Sequence, residues 1–283
     1  MKKIVVLHKS INENNRFVFN EFKDFLTEKT DVRFIPFQDN ALNFDEIITK
    51  ITRHQPDFAI TLGGDGTFLD GMRYLYNQNI PILGINTGRL GFLTSFSLNE
   101  FTTFLPEILN GNFFIDERTL IEQNTPKNTF KDCNKALNEF TIQKTDSSSM
   151  VTIHTYVNGE LLNTYWADGL IVSTPTGSTA YSLSCGGPIV MPKSGNFIIT
   201  PIAPHNLNVR PIVLPDDVEI ELKVESRSEH VLIALDSYSQ IIKDNTAITL
   251  KKAAKKLKII RPDGYTFFST LRNKLMWGAD KRN

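Results

Sequence analysis

Apolar and polar positions keep two different rhythms along this chain, and the change falls near Phe113. Before that point, short apolar runs alternate with stretches of helical spacing: Ile4 to Leu7, then Val18 to Leu26; Val32 to Ile35, then Phe44 to Ile51. Phe58 to Leu62 is short, apolar and rich in β-formers, as a strand buried on both faces of a parallel sheet must be. From Thr67 onward, Phe68, Met72, Leu75 and Tyr76 recur as one helical face. Pro81 to Asn86 is a further strand, and Phe101, Phe104, Leu105 and Ile108 a further helix, stopped by Asn110-Gly111. This alternation predicts an α/β domain over residues 1–113, built on a parallel doubly wound sheet.

Beyond Phe113 the period shortens to two. Thr152 to Val157 alternates as a half-buried strand, Asn158-Gly159 is a strong hairpin turn, and Leu161 to Tyr165 returns. Gly169 to Val172 is another apolar strand. A mainly β domain is expected over 114–264, after which Phe268, Leu271 and Leu275 restore helical spacing within Phe267 to Trp277. That last segment, 265–283, is expected to pack back on the first domain.

Composition narrows the function classes. With 283 residues and 41% hydrophobic content, the chain has material for substantial cores. Lys+Arg and Asp+Glu both number 31, so no overall field draws it to nucleic acid or to an acidic membrane surface. The first apolar run ends at His8-Lys9, too short for a signal peptide, and no apolar segment reaches membrane-spanning length. Cys133 and Cys185 form no disulfide framework, so a reducing cytoplasm is the expected setting. The five histidines lack metal-ligand spacing, no Gly-x-Ser-x-Gly motif occurs, and the basic run Lys251 to Lys258 reads as a solvated face.

The chemistry concentrates in the turn after Phe58–Leu62. Gly63, Gly64 and Gly66, followed by Thr67, leave little side chain over the backbone, and N–H groups that open a helix attract phosphate. Asp65 puts a carboxylate into this anion-binding turn, which suits work on a proton, a metal or a hydroxyl beside the phosphate. The plain alternative is an Asp N-cap. No Gly-Lys-Ser/Thr follows, and Leu69 stands where a dinucleotide fingerprint needs its third Gly. A second glycine-punctuated turn, Asn86 to Phe92, follows the next strand; Arg89 in it is either a phosphate partner or a packing residue, and the two turns are expected to line one crevice. A third segment, Ser173 to Ser182, is crowded with hydroxyls suited to sugars and phosphates, and Tyr181 adds an aromatic face. Asp168 just before it is a ligand contact or a solvated strand end.

Taken together, Gly63-Gly64-Asp65-Gly66-Thr67, Asn138-Glu139, Asp168-Gly169, Ser173-Thr174-Pro175-Thr176-Gly177-Ser178-Thr179-Ala180-Tyr181-Ser182 and Gly186-Gly187-Pro188 resemble the NAD kinase family in order and spacing. The first motif alone is shared with lipid and sugar kinases; the hydroxyl-rich one makes the resemblance specific. It implies an α/β domain followed by a β-sandwich-like domain, with NAD bound between them. It further implies that Asp65 takes the proton of the adenosine ribose 2′-hydroxyl as that oxygen attacks the terminal phosphoryl group of ATP. Gly63, Gly64, Gly66 and Thr67 would cradle phosphate. Gly66, Asn138, Glu139, Asp168, Thr179, Ala180, Tyr181, Ser182, Leu183, Ser184 and Ala203 would bind NAD, with Asn138 and Glu139 as acceptors and donors on a ribose. Mg2+ would arrive with ATP, and a homotetramer would complete the site. Trp166 stands where some relatives carry a basic residue. A lipid or sugar kinase and a non-catalytic dinucleotide sensor are the rival readings.

Overall fold

A computed structural model describes residues 1–9, 11, 13–37, 43–88, 91–146 and 149–276. Arg89 and Trp277, singled out above, lie outside the described residues. The chain divides into two units, residues 1–117 with 257–283, and residues 118–256.

The first unit holds β1 (Lys3–His8), α1 (Arg16–Lys29), β2 (Asp31–Pro36), α2 (Phe44–His54), β3 (Phe58–Leu62), α3 (Asp65–Leu75), β4 (Ile82–Asn86), β5 (Phe96–Ser97), α4 (Phe101–Asn110) and β6 (Phe113–Arg118). Strands β2, β1, β3 and β4 lie side by side in that order, each neighbouring pair parallel. All five residues of β3 and of β4 are buried, as the unbroken apolar runs required. Phe68, Met72, Leu75 and Tyr76 form the buried face of α3. Helix α4 stops at Gly111, whose φ of 91° only glycine adopts freely.

The second unit is antiparallel. Its strands are β7 (Ile121–Thr125), β8 (Lys135–Ala136), β9 (Glu139–Lys144), β10 (Val151–Val157), β11 (Glu160–Ala167), β12 (Gly169–Ser173), β13 (Asn196–Ile202), β14 (Ile212–Pro215), β15 (Ile220–Glu225), β16 (His230–Leu235), β17 (Tyr238–Lys243) and β18 (Ile248–Lys252), with the short helix α5 (Tyr181–Ser184). One sheet runs β11-β10-β15-β18-β7-β8 and the other β14-β13-β12-β9-β16-β17. Ile153, Leu222 and Leu250 from the first and Phe140, Val172 and Ile233 from the second share one apolar core, the arrangement of a β-sandwich. The hairpin β10–β11 turns at Asn158 and Gly159, both at positive φ.

One strand departs from the expected division. β19 (Leu257–Pro262), assigned by its sequence position to the β domain, lies in the first unit's sheet between β4 and β6, parallel to β4 at Ile259 and Ile82. A run of alternating residues does not say which sheet it joins; an open edge beside β4 does. Helix α6 (Phe267–Leu275) follows in the same unit, with Leu271 buried. The lysine run is solvated on β18, where Lys251 pairs with Glu219 and Lys252 with Asp216, both at 2.6 Å.

Candidate active site

The first unit builds a caged carboxylate at the start of α3. Gly63, at φ 152°, turns the chain out of β3; an added Cβ there would collide with the Thr67 side chain. The N-cap of α3 is Gly64, which offers no side chain, so the first N–H groups of the helix stay uncapped at an exposed turn. Asp65 therefore does not cap. Its Oδ2 accepts the Phe92 N–H at 2.7 Å, and its Oδ1 accepts the N–H groups of Leu93 and Thr94 and the Thr94 hydroxyl at 3.1–3.2 Å. Thr94 Oγ1 itself accepts from Gly91 N–H and Asn86 Nδ2, so its own proton points at Asp65. Residue 91 must be glycine, because a Cβ would overlap the Asp65 carboxylate.

Behind this turn stands Arg261 of β19, wholly buried. Its Nη1 donates to Leu93 O at 3.0 Å and to Ser95 Oγ, its Nη2 donates to Phe92 O at 3.2 Å, and Asp116 lies 3.5 Å from its Nε. The peptides at 92 and 93 thus face a cation with their carbonyls and an anion with their N–H groups, an alignment in which each interaction polarises the other. The two glycine turns do meet, as expected, but the second supplies backbone donors that lock the carboxylate of the first.

The second unit gathers the other expected residues. Asp236, at φ 51°, places its carboxylate against three consecutive N–H groups, Leu137 at 2.8 Å, Asn138 at 2.8 Å and Glu139 at 3.1 Å. From the opposite side Thr174 N–H and Ser173 Oγ donate to Asn138 O, and Thr174 Oγ1 donates to Leu137 O. Asn138 is half-buried at the head of β9, and Glu139 is buried. Glu139 Oε2 finds no hydrogen-bond partner among the described residues.

The hydroxyl-rich loop spends most of its hydroxyls on itself. Ser178 bonds Pro175 O and Val190, Ser182 bonds Thr200, and Thr176 accepts from the buried Arg118 at 3.2 Å. What it presents outward is the edge from Thr179 through Ala180, Tyr181, Leu183 and Ser184; Ser182 is buried. The Tyr181 phenol is pushed up by burial first and then by Cys185, Asp168 and Glu139, while burial and then Glu139 push up the Cys185 thiol. These groups therefore share one neighbourhood. At the far end of β12, Gly169 pairs with Ile202, which brings Asp168 and Ala203 to the same end of that strand pair. Asp168 is bonded to Lys144 at 2.7 Å. Trp166, 56% exposed, lines an open cavity of about 740 Å³ with Lys144, Met150 and Arg227.

Residues 5–113 match the ATP-NAD kinase N-terminal domain and residues 137–262 the ATP-NAD kinase C-terminal domain. The chain belongs to the ATP-NAD kinase family. It is 50% identical over 240 residues to the NAD kinase of Cytophaga hutchinsonii, covering 85% of this chain and 82% of that protein. Its fold is also that of yeast NADH kinase complexed with NADH, at a TM-score of 0.85 and 24% identity over 99% of this chain and 89% of the other. The NAD kinase from Archaeoglobus fulgidus in complex with ATP gives 0.77 at 24% identity, over 96% and 97% of the two chains.

Sequence reasoning missed the supports of this ATP-NAD kinase fold. Thr94 and Arg261 carried no motif of their own. Gly91 stood in the second glycine-punctuated turn and Asp236 in the Leu235-Asp236-Ser237 strand end that shares the family resemblance, but neither was assigned its supporting role.

Proposed function

We propose that this protein is an NAD kinase, transferring the terminal phosphoryl group of ATP to the 2′-hydroxyl of the adenosine ribose of NAD to give NADP. The observation that carries the reading is the α3 turn, which sets a fixed carboxylate directly beside uncapped helix N–H groups. Phosphoryl transfer through a loose transition state needs positioning and charge neutralisation more than a strong base. Asp65 supplies the first. Oδ1 is saturated with three hydrogen bonds, whereas Oδ2 accepts one among the described residues and keeps a lone pair for a substrate hydroxyl. As the ribose oxygen bonds to phosphorus and the bond from phosphorus to the bridging oxygen of ADP breaks, the hydroxyl proton passes to Oδ2. The uncapped N–H groups at Gly64, Asp65 and Gly66 face the phosphate charge.

Among the described residues no group of three or more His, Cys, Asp and Glu side chains is placed to hold a metal ion. A divalent cation, Mg2+, would arrive with the donor phosphates and supply charge neutralisation there. Asn138, Glu139, Asp168, Ala203 and the Thr179–Ser184 edge hold NAD. The family resemblance supports a cytoplasmic homotetramer, and Leu161, Trp166, Leu207, Val213 and Ile241 leave apolar area exposed for further copies to cover. NADP formation from NAD and ATP by the purified protein tests the activity; label from ATP appearing on a lipid or on nothing would reject it. A fully active monomer in light scattering would reject the assembly.

A further inference from the structure

Three carboxyl groups of the second unit flank the strand pair β9–β12, Asp236 and Glu139 at one end and Asp168 at the other, and the donors are shared unequally among them. Asp236 takes three main-chain N–H groups, and Asp168 takes the Lys144 ammonium. Glu139 receives neither. It is 8% exposed, and its Oε2 has no partner among the described residues. Among the described residues the groups coupled to it are acids: Asp236 from the β16–β17 turn, and Cys185 and Tyr181 from α5 and its end. A buried carboxylate with an anion beside it and no donor on one oxygen is costly, and a proton removes that cost. Burial and then the Asp236 carboxylate push the Glu139 carboxyl from 4.5 up to about 8.

We propose that Glu139 meets the dinucleotide as a neutral acid, donating a hydrogen bond to a ribose oxygen from Oε1, since Oε2 is wholly buried, rather than accepting one as an anion. This rests on the reading that Glu139 touches NAD. A carboxyl O–H is itself both donor and acceptor, which matches a ribose hydroxyl that is also both. Binding then carries a proton requirement.

The test is calorimetric titration of NAD into the wild-type protein, Glu139→Gln and Glu139→Ala between pH 6 and 9, a window below the raised Tyr181 phenol. For the wild type, Kd is expected to climb above pH 8 toward about tenfold per unit. Glu139→Gln, which also pairs a donor with an acceptor, should bind within about threefold of wild type at pH 7 and stay flat with pH, while Glu139→Ala should lose about tenfold. A flat wild type, with Gln as damaging as Ala, would show an ionised acceptor and overturn the proposal while leaving the contact with NAD. Identical binding by all three proteins would remove the contact itself. Infrared spectra give a second readout that needs no ligand: a protonated carboxyl band, present in wild type at pH 6, fading through pH 8 and missing in Glu139→Gln, is expected, and its absence from wild type at pH 6 would also overturn the proposal.

Discussion

Asp65 and Asp236 belong to different units and are held by the same device. Each accepts three consecutive backbone N–H groups, from residues 92–94 in one case and 137–139 in the other. Glu139, whose own N–H is one of those donors, has a carboxyl group that is left without comparable support. The comparison separates two uses of an acid. A carboxylate surrounded by fixed donors keeps its position, so Asp65 can orient a reacting hydroxyl and Asp236 can shape a turn. A carboxyl buried without donors keeps its proton, and so presents a different face to a ligand.

The largest effect expected from breaking this contrast is at Asp65. Asp65→Asn should lower kcat about 10²–10⁴-fold, because the amide cannot take the proton. It must also set an NH2 group against a backbone N–H donor of the 92–94 turn, at a cost of about 1–3 kcal/mol in stability. Near-normal turnover in that variant would reduce Asp65 to a structural anchor like Asp236. Next comes Asp236→Ala, which strips three N–H groups of their acceptor. Stability should fall by about 2–4 kcal/mol and NAD affinity by more than tenfold, while Asp236→Asn, which keeps one acceptor oxygen, should fall between. Chemical denaturation and NAD titration of both variants would check this; unchanged affinity would mean that the 137–139 backbone holds its shape alone.

Arg261→Lys is a smaller perturbation. Lysine keeps the charge but loses the planar fork that reaches both Phe92 O and Leu93 O. We expect kcat to drop about tenfold with the KM for NAD little changed, since the turn that positions Asp65 loosens while the second unit is untouched. A rise in KM alone would place Arg261 in binding instead. The contrast is also read in stability against pH. The Glu139 carboxyl is raised from 4.5 to about 8 on folding, so the folded protein holds that proton more tightly than the unfolded chain. The stabilisation is fully present below about pH 4.5 and drains away as pH rises through about 8, at up to ~1.4 kcal/mol per unit. Thermal melts of wild type and Glu139→Gln from pH 5 to 9 should therefore diverge, the wild type losing ground on the alkaline side; parallel curves would contradict an unsupported carboxyl.

Much of this was legible in the chain. Apolar runs and helical spacing marked β1 to β4 with α1 to α3, and the hairpin at Asn158-Gly159, because those choices are local: a strand buried on both faces must be apolar throughout, and a tight hairpin must have residues that accept positive φ. The Gly63–Thr67 turn and the hydroxyl-rich segment were conspicuous because few other functions call for such residues together. Their chemistry was less legible. The Ser and Thr side chains of 173–182 looked like ligand groups, yet folding directs most of them to their own backbone, since buried peptide groups need partners first.

Tertiary structure alone decided the rest, and distance along the chain is the reason. Asp65 meets Phe92 across 27 residues, Glu139 meets Asp236 across 97, and Arg261 meets Leu93 across 168. No local pattern announces such a partner. By itself the sequence determined which elements form, which turn attracts phosphate and which family the motifs resemble. The sheet edge that β19 completes, the donors that hold Asp65 and Asp236 in place, and the lack of a donor on Glu139 Oε2 among the described residues exist only once those elements are packed, because a side chain's partners are set by what surrounds it in space.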